Sequence, residues 1–197
     1  MTMHAEDGVL DHYQAMELAV SALLIDKGYF SAADMEEQID AMAKRTPEIG
    51  AAVVARAWTD ADFKAHLLAD GTAACESIGL DMGPTRLMVV ESTEAVHNVI
   101  VCTLCSCFPR MMMGIPPDWY KSESYRSRIV REPRVVLKEF GTVPPQGVEV
   151  RVHDNTADMR YLVLPKRPEG SDGMSREELA KLVTRDSMIG VKFAEAP

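Results

Sequence analysis

Val101-Cys102-Thr103-Leu104-Cys105-Ser106-Cys107-Phe108 places three of the chain's four cysteines within six residues, in the order C-x-x-C-x-C. Thiols gathered this tightly serve chiefly to hold a metal or to run redox chemistry. The two-residue spacer lets Cys102 and Cys105 face one centre, as in many thiolate sites. The one-residue spacer leaves the peptide nitrogens of Ser106 and Cys107 between the sulfurs of Cys105 and Cys107. If both amides lose their protons, an ion can sit in a plane of two sulfurs and two nitrogens, closed by small fused chelate rings. Cys102 then supplies a thiolate above that plane and the opposite position stays open. Amidate donors suit a trivalent low-spin ion such as Co(III) or Fe(III). A filled tetrahedral zinc site wants a fourth Cys or His at partner spacing, and the nearest histidine is His97. An iron–sulfur cluster takes four cysteines, and Cys75 lies far upstream in a helical pattern. On spacing alone, an amide-ligated metal stands level with a zinc or redox site.

Outward from this loop, Asn98 to Val101 reads as a strand that delivers the cysteines at its end, a common place for chemistry held by a rigid sheet. Leu87 to Val90, Val148 to Val152 and Tyr161 to Leu164 read as further strands. Upstream the pattern is helical. Tyr13, Met16, Val20 and Leu23 recur at helical spacing over His12 to Lys27. Ser31 caps a second helix to Ala43. Pro47 and Gly50 read as breaks, followed by a short apolar run, Val53 to Trp58. Thr59 is the expected cap of a helix over Asp60 to Leu68, and Thr72 to Ile78 adds another segment. Residues 1–10 read as a loose leader. Downstream, Pro116, Pro117 and Pro133 punctuate short helices, and Ser175-Arg176-Glu177-Glu178 is a capping box. The expectation is an α+β chain, with a helical arm over residues 1–80 and an α+β metal-binding part over 81–197.

The cysteine stretch resembles the metal-binding signature of the nitrile hydratase alpha subunit. The likeness continues through Gly114-Ile115-Pro116-Pro117-Asp118-Trp119-Tyr120-Lys121 and Val130-Arg131-Glu132-Pro133-Arg134. It runs from Val53-Ala55-Arg56-Ala57-Trp58 to Thr184-Arg185-Asp186-Ser187-Met188-Ile189-Gly190-Val191. The gamma subunit of thiocyanate hydrolase carries the same signature. In this family C-T-L-C-S-C goes with cobalt and C-S-L-C-S-C with iron, so Thr103 places the chain with cobalt(III), with iron(III) as the alternative. The resemblance implies a four-layer α-β-β-α body and the hydration of a nitrile to an amide. Cys102, Cys105, Ser106 and Cys107 are the implied ligands, with Cys105, Ser106 and Cys107 in the catalytic centre. The resemblance further implies oxidation of Cys105 to the sulfinic and of Cys107 to the sulfenic acid, successive steps of thiol oxidation. A beta-type subunit, in some relatives split into two chains, supplies two arginines to these sulfurs.

One departure bears on substrate. Nitrile hydratases often follow the last cysteine with aromatic-Pro-Trp-Pro, whereas this chain has Phe108-Pro109-Arg110-Met111. Arg110 stands in place of the tryptophan, as in thiocyanate hydrolase. With the adaptable side chains of Met111, Met112 and Met113 beside it, this points to a bulky polar nitrile such as a toyocamycin-type heteroaromatic. Attraction of a small anion such as thiocyanate and an ion pair with a partner chain are the competing uses of Arg110. A reading from another class is a non-catalytic metal-binding or redox module.

The remaining features narrow the setting. Net charge is −9 over 197 residues, which argues against nucleic acid or an anionic membrane as partner. No signal pattern or membrane-length apolar run occurs, so the expected compartment is the cytoplasm. Cys75 reads as a small core residue and His97 as a hydrogen-bonded structural one. His4, His12, His66 and His153 form no ligand spacing. Asp118-Trp119-Tyr120 is expected to pack a core.

Overall fold

The computed structural model describes residues 11–197; the leader expected over 1–10 lies outside them. The described chain is a mixed helix-and-strand protein, and it separates into two compact units, one ending at Lys44 and the other spanning Arg45–Pro197.

The first unit holds α1 (His12–Asp26) and α2 (Ala32–Ala43). Both start on capping boxes, Asp11 with Gln14 and Ser31 with Asp34, each satisfying orphan N–H groups at the helix start. Neither helix has a buried residue. Tyr13, Met16, Val20 and Leu23 are all exposed, at 78%, 49%, 52% and 52%.

The second unit begins with α3 (Pro47–Thr59), α4 (Ala61–Ala69) and α5 (Gly71–Glu76). Here the sequence reading needs correction. Pro47 starts α3 instead of breaking a helix, since the first helical turn has no use for its missing N–H. Gly50 lies inside α3, because a Cβ there would stand 2.6 Å from Met188 Sδ and 2.9 Å from the Met112 carbonyl oxygen. Asp60, not Thr59, caps α4, accepting from Phe63 N–H at 2.9 Å. The Thr59 hydroxyl instead donates back into α3, to the Ala55 carbonyl at 3.1 Å. These helices, grouped with the arm in the sequence reading, bury Val53, Val54, Ala57, Phe63, Leu67 and Cys75 in the core of the second unit.

That core is built on four strands, β1 (Arg86–Glu91), β2 (Val96–Val101), β3 (Glu149–Asp154) and β4 (Met159–Leu164). They pair in parallel as β1 with β4 and β2 with β3. The register sets Val101 opposite Asp154. Between β2 and β3 the chain forms α6 (Arg110–Met113), α7 (Asp118–Lys121), α8 (Glu123–Ile129) and α9 (Pro133–Glu139). The C-terminal helices are α10 (Arg176–Lys181), started by the Ser175 capping box, and α11 (Arg185–Ile189). Among the described residues no helix is long and apolar enough to cross a membrane.

Candidate metal centre

β2 ends at Val101 and the chain turns at once into the cysteine loop. Three separate elements pin that loop. From the end of β3, Asp154 accepts from the Thr103 N–H at 2.9 Å and from the Thr103 hydroxyl at 2.5 Å. Asn155 N–H donates to the Val101 carbonyl at 2.7 Å. From α7, the Tyr120 hydroxyl donates to the Cys107 carbonyl at 3.0 Å and accepts from Asn155 Nδ2 at 2.8 Å. From α8, Arg126 Nη1 donates to the Cys105 carbonyl at 2.9 Å. A carbonyl that meets a guanidinium is held by a charge-assisted bond, stronger than a neutral one.

Within this frame the sulfurs of Cys102, Cys105 and Cys107 lie within 4.8 Å of one another. Cys102 to Cys105 is 3.6 Å and Cys105 to Cys107 is 3.3 Å. Among the described residues this is the one group of three or more His, Cys, Asp or Glu side chains close enough to hold an ion. Cys102 is buried, Cys105 exposed and Cys107 between. The Cys105 N–H donates to the Cys102 sulfur at 3.3 Å. Hydrogen bonding with the thiols of Cys107 and Cys102, then with the backbone of Ser106 and Cys107, brings Cys105 down to about 7. Burial, and the hydrogen bond with Cys105, push Cys107 up to about 11.

The donor set fits a thiophilic transition ion: three sulfurs converge, and among the described residues no carboxylate or imidazole joins their cluster. Of the residues named from the spacing, the structure brings the sulfurs of Cys102, Cys105 and Cys107 together. Beside it opens a cleft of about 360 Å³, lined by Cys105, Ser106, Cys107, Arg110, Met111 and Arg160, with Arg45 among the other wall residues. Arg160 is held by the carbonyls of Thr156, Ala157 and Met159. Among the described residues no carboxylate lines this cleft.

Other sequence readings find their places. Cys75 is fully buried, and burial raises its thiol to about 12. His97 is a structural residue, its Nε2 2.7 Å from the Gly190 carbonyl. Of the three methionines only Met111 reaches the cleft; Met112 and Met113 are fully buried in the core. Tyr120 packs in the core as expected, edge-on to Phe108 at 4.9 Å, yet also holds the loop. Sequence reasoning missed Tyr120, Arg126, Asp154 and Asn155 as loop supports. Their only signal was polarity beside apolar strand or helix ends.

A family model described as nitrile hydratase, alpha chain, matches residues 11–192. The cobalt-containing nitrile hydratase subunit alpha of Pseudonocardia thermophila is 49% identical over 181 residues, covering 90% of this chain and 89% of that protein. Among solved structures, a recombinant thiocyanate hydrolase comprising partially modified cobalt centres superposes with a TM-score of 0.91 at 39% identity, over 95% of this chain and 92% of that one. An Fe-type nitrile hydratase from Comamonas testosteroni Ni1, a double mutant, gives 0.86 at 44% identity, over 95% and 94%.

Proposed function

The chain belongs to the nitrile hydratase alpha-chain family, and from that premise we propose that it is the metal-carrying alpha subunit of a cobalt nitrile hydratase, converting R–C≡N and water to the amide. The observation that carries this reading is the convergence of the Cys102, Cys105 and Cys107 sulfurs within 4.8 Å in the order C-T-L-C-S-C. These sulfurs, with the amide nitrogens of Ser106 and Cys107, are the groups that would hold cobalt(III). When bound, the ion supplies Lewis acidity toward the nitrile or toward water.

The chain's own groups do the rest. Cys107 lines the cleft, so that, with Cys105 as the sulfinic and Cys107 as the sulfenic acid, the Cys107 oxygen would act there as nucleophile or as base toward water. A base there takes the proton that water loses as its oxygen joins the nitrile carbon, and returns it to nitrogen. Ser106 supplies an amide ligand and lines the same cleft. Arg126, Tyr120 and Asp154 keep the loop in place. Catalysis is assigned to residues 81–197, and the helices before them to support and assembly. The names of the relatives as subunits, and the uncovered apolar stripe on α1, support a beta-type partner, as one chain or two. The working compartment in this reading is the cytoplasm.

Arg110 beside the cysteines in a cleft of about 360 Å³ supports a large, polar nitrile of the toyocamycin type. A second reading, the gamma subunit of a thiocyanate hydrolase, is favoured by a specific observation: Arg45, Arg110 and Arg160 line that cleft, with no carboxylate among the described residues there. Comparing kcat/KM for toyocamycin, acetonitrile and thiocyanate on the complex assembled in cobalt medium decides between them. Preference for the bulky nitrile supports the first, and preference for thiocyanate the second. Stoichiometric zinc with three unmodified thiols and no turnover would instead make the chain a metal-binding module.

A further inference from the structure

One side chain outside the cysteine loop holds its first turn. Asp154 takes both hydrogens of Thr103, one on each carboxylate oxygen. The Cys105 N–H turns to Cys102. Asp154 makes its two bonds from a fixed place. It is the last residue of β3, registered opposite Val101, and the next residue bonds back to the Val101 carbonyl at 2.7 Å. Two bonds to one residue fix both the direction of the Thr103 peptide and the rotamer of its side chain, which a single bond would leave free to swing. Thr103 follows Cys102 directly, so the clamp also orients the buried cysteine.

We propose that Asp154 is a positioning residue for the metal loop: by clamping the N–H and hydroxyl of Thr103 it orients Cys102, the buried member of the thiol cluster. The inference rests on the ligand reading above. Asp154 touches none of the sulfurs and acts through Thr103. It is exposed, so replacing it need not disturb the core.

The test is the rate at which the cobalt-loaded complex gives up its metal to a chelator under native conditions. Asp154→Ala should release cobalt about tenfold faster or more, the usual scale for losing a group that orients a metal ligand. Asp154→Asn should recover much of the loss, because its amide oxygen still accepts from the Thr103 N–H while its NH2 can donate to the hydroxyl oxygen. Thr103→Val should weaken retention in Asp154 wild type and add little in Asp154→Ala. Leu179→Ala, which opens a cavity in the separate cluster of Ala55, Leu179 and Leu182, controls for simple loss of stability and should leave release unchanged. Release at the wild-type rate from Asp154→Ala, or equal acceleration in Leu179→Ala, would overturn the proposal. The ligand reading fails separately, if Cys107→Ala holds cobalt as tightly as wild type.

Discussion

The hydroxyl of Tyr120 donates to the carbonyl oxygen of Cys107 at 3.0 Å, so a fully buried side chain of α7 bears on the last cysteine of the loop. Asn155 Nδ2 donates to the same hydroxyl at 2.8 Å, and Asn155 Oδ1 accepts from Tyr161 N–H at 2.6 Å. The tyrosine thereby links the loop to the start of β4. Tyr120→Phe keeps the ring and strands two buried partners, the Cys107 carbonyl and the Asn155 amide. A loss of about 1–3 kcal/mol in urea unfolding is expected. An unchanged midpoint would show that these groups find other partners.

Metal retention should follow the sulfurs. Cobalt-supplemented expression should give one cobalt per chain, and Cys102→Ala, Cys105→Ala or Cys107→Ala should each abolish it, as measured by elemental analysis. Peptide mass spectrometry across Cys102–Arg110 should show two oxygens added at Cys105 and one at Cys107. A loaded, active enzyme with three unmodified thiols would refute the sulfenate chemistry. In contrast, Cys75→Ser should leave cobalt content unchanged, since Cys75 is fully buried away from the cluster.

Assembly should depend on α1. Its exposed Met16, Val20 and Leu23 recur at helical spacing and have no buried counterpart within the helix. Leu23→Asp should weaken complex formation by tenfold or more while leaving the fold of the second unit intact, because burying an unpaired charge costs several kcal/mol. Sedimentation of co-expressed subunits reads this directly. A complex as tight as wild type would place the partner elsewhere. The single chain should have little of the complex's specific activity, and equal activity would count against a required partner.

Stability should fall on the acid side of neutrality. Burial lowers His97, with Arg134 adding to the effect against the Gly190 hydrogen bond, and burial with Arg151 nearby lowers His153. Each folded-state value lies below the unfolded one of about 6.5. As pH drops through about 6.5, the unfolded chain takes up protons that the folded chain refuses. Stability is therefore fully present above that value and declines until the folded-state values are passed. Urea midpoints at a series of pH values should show this decline, and His97→Gln with His153→Gln should flatten it. A slope unaltered by both substitutions would assign the acid sensitivity to other groups.

How far the sequence could be read follows from the range of each interaction. The Ser31 and Ser175 capping boxes were legible because cap and partner lie within one turn. The four strands were legible from Val and Ile runs. Their parallel pairing was not, since β1 meets β4 and β2 meets β3 across long stretches of chain. Thr59 and Asp60 show a finer limit: both are good caps, and the choice turned on the Thr59 hydroxyl bonding back into α3. The cysteine spacing located the centre, because the donors are local. Asp154, Asn155, Tyr120 and Arg126 were not legible as its supports, because only the folded chain brings them to the loop.

The clamp on Thr103 also sets an order of events during synthesis. Asp154 lies 51 residues beyond Thr103. At about 5–20 residues per second, the three thiols leave the ribosome roughly 3–10 s before the carboxylate that fixes their loop. In that interval they are ordinary cysteines on an unpaired segment, open to stray oxidants and to whichever thiophilic ion is most abundant. The clamp can form only once β3 has joined β2, so an ion met before that point finds the cysteines on a loop that Asp154 does not yet hold.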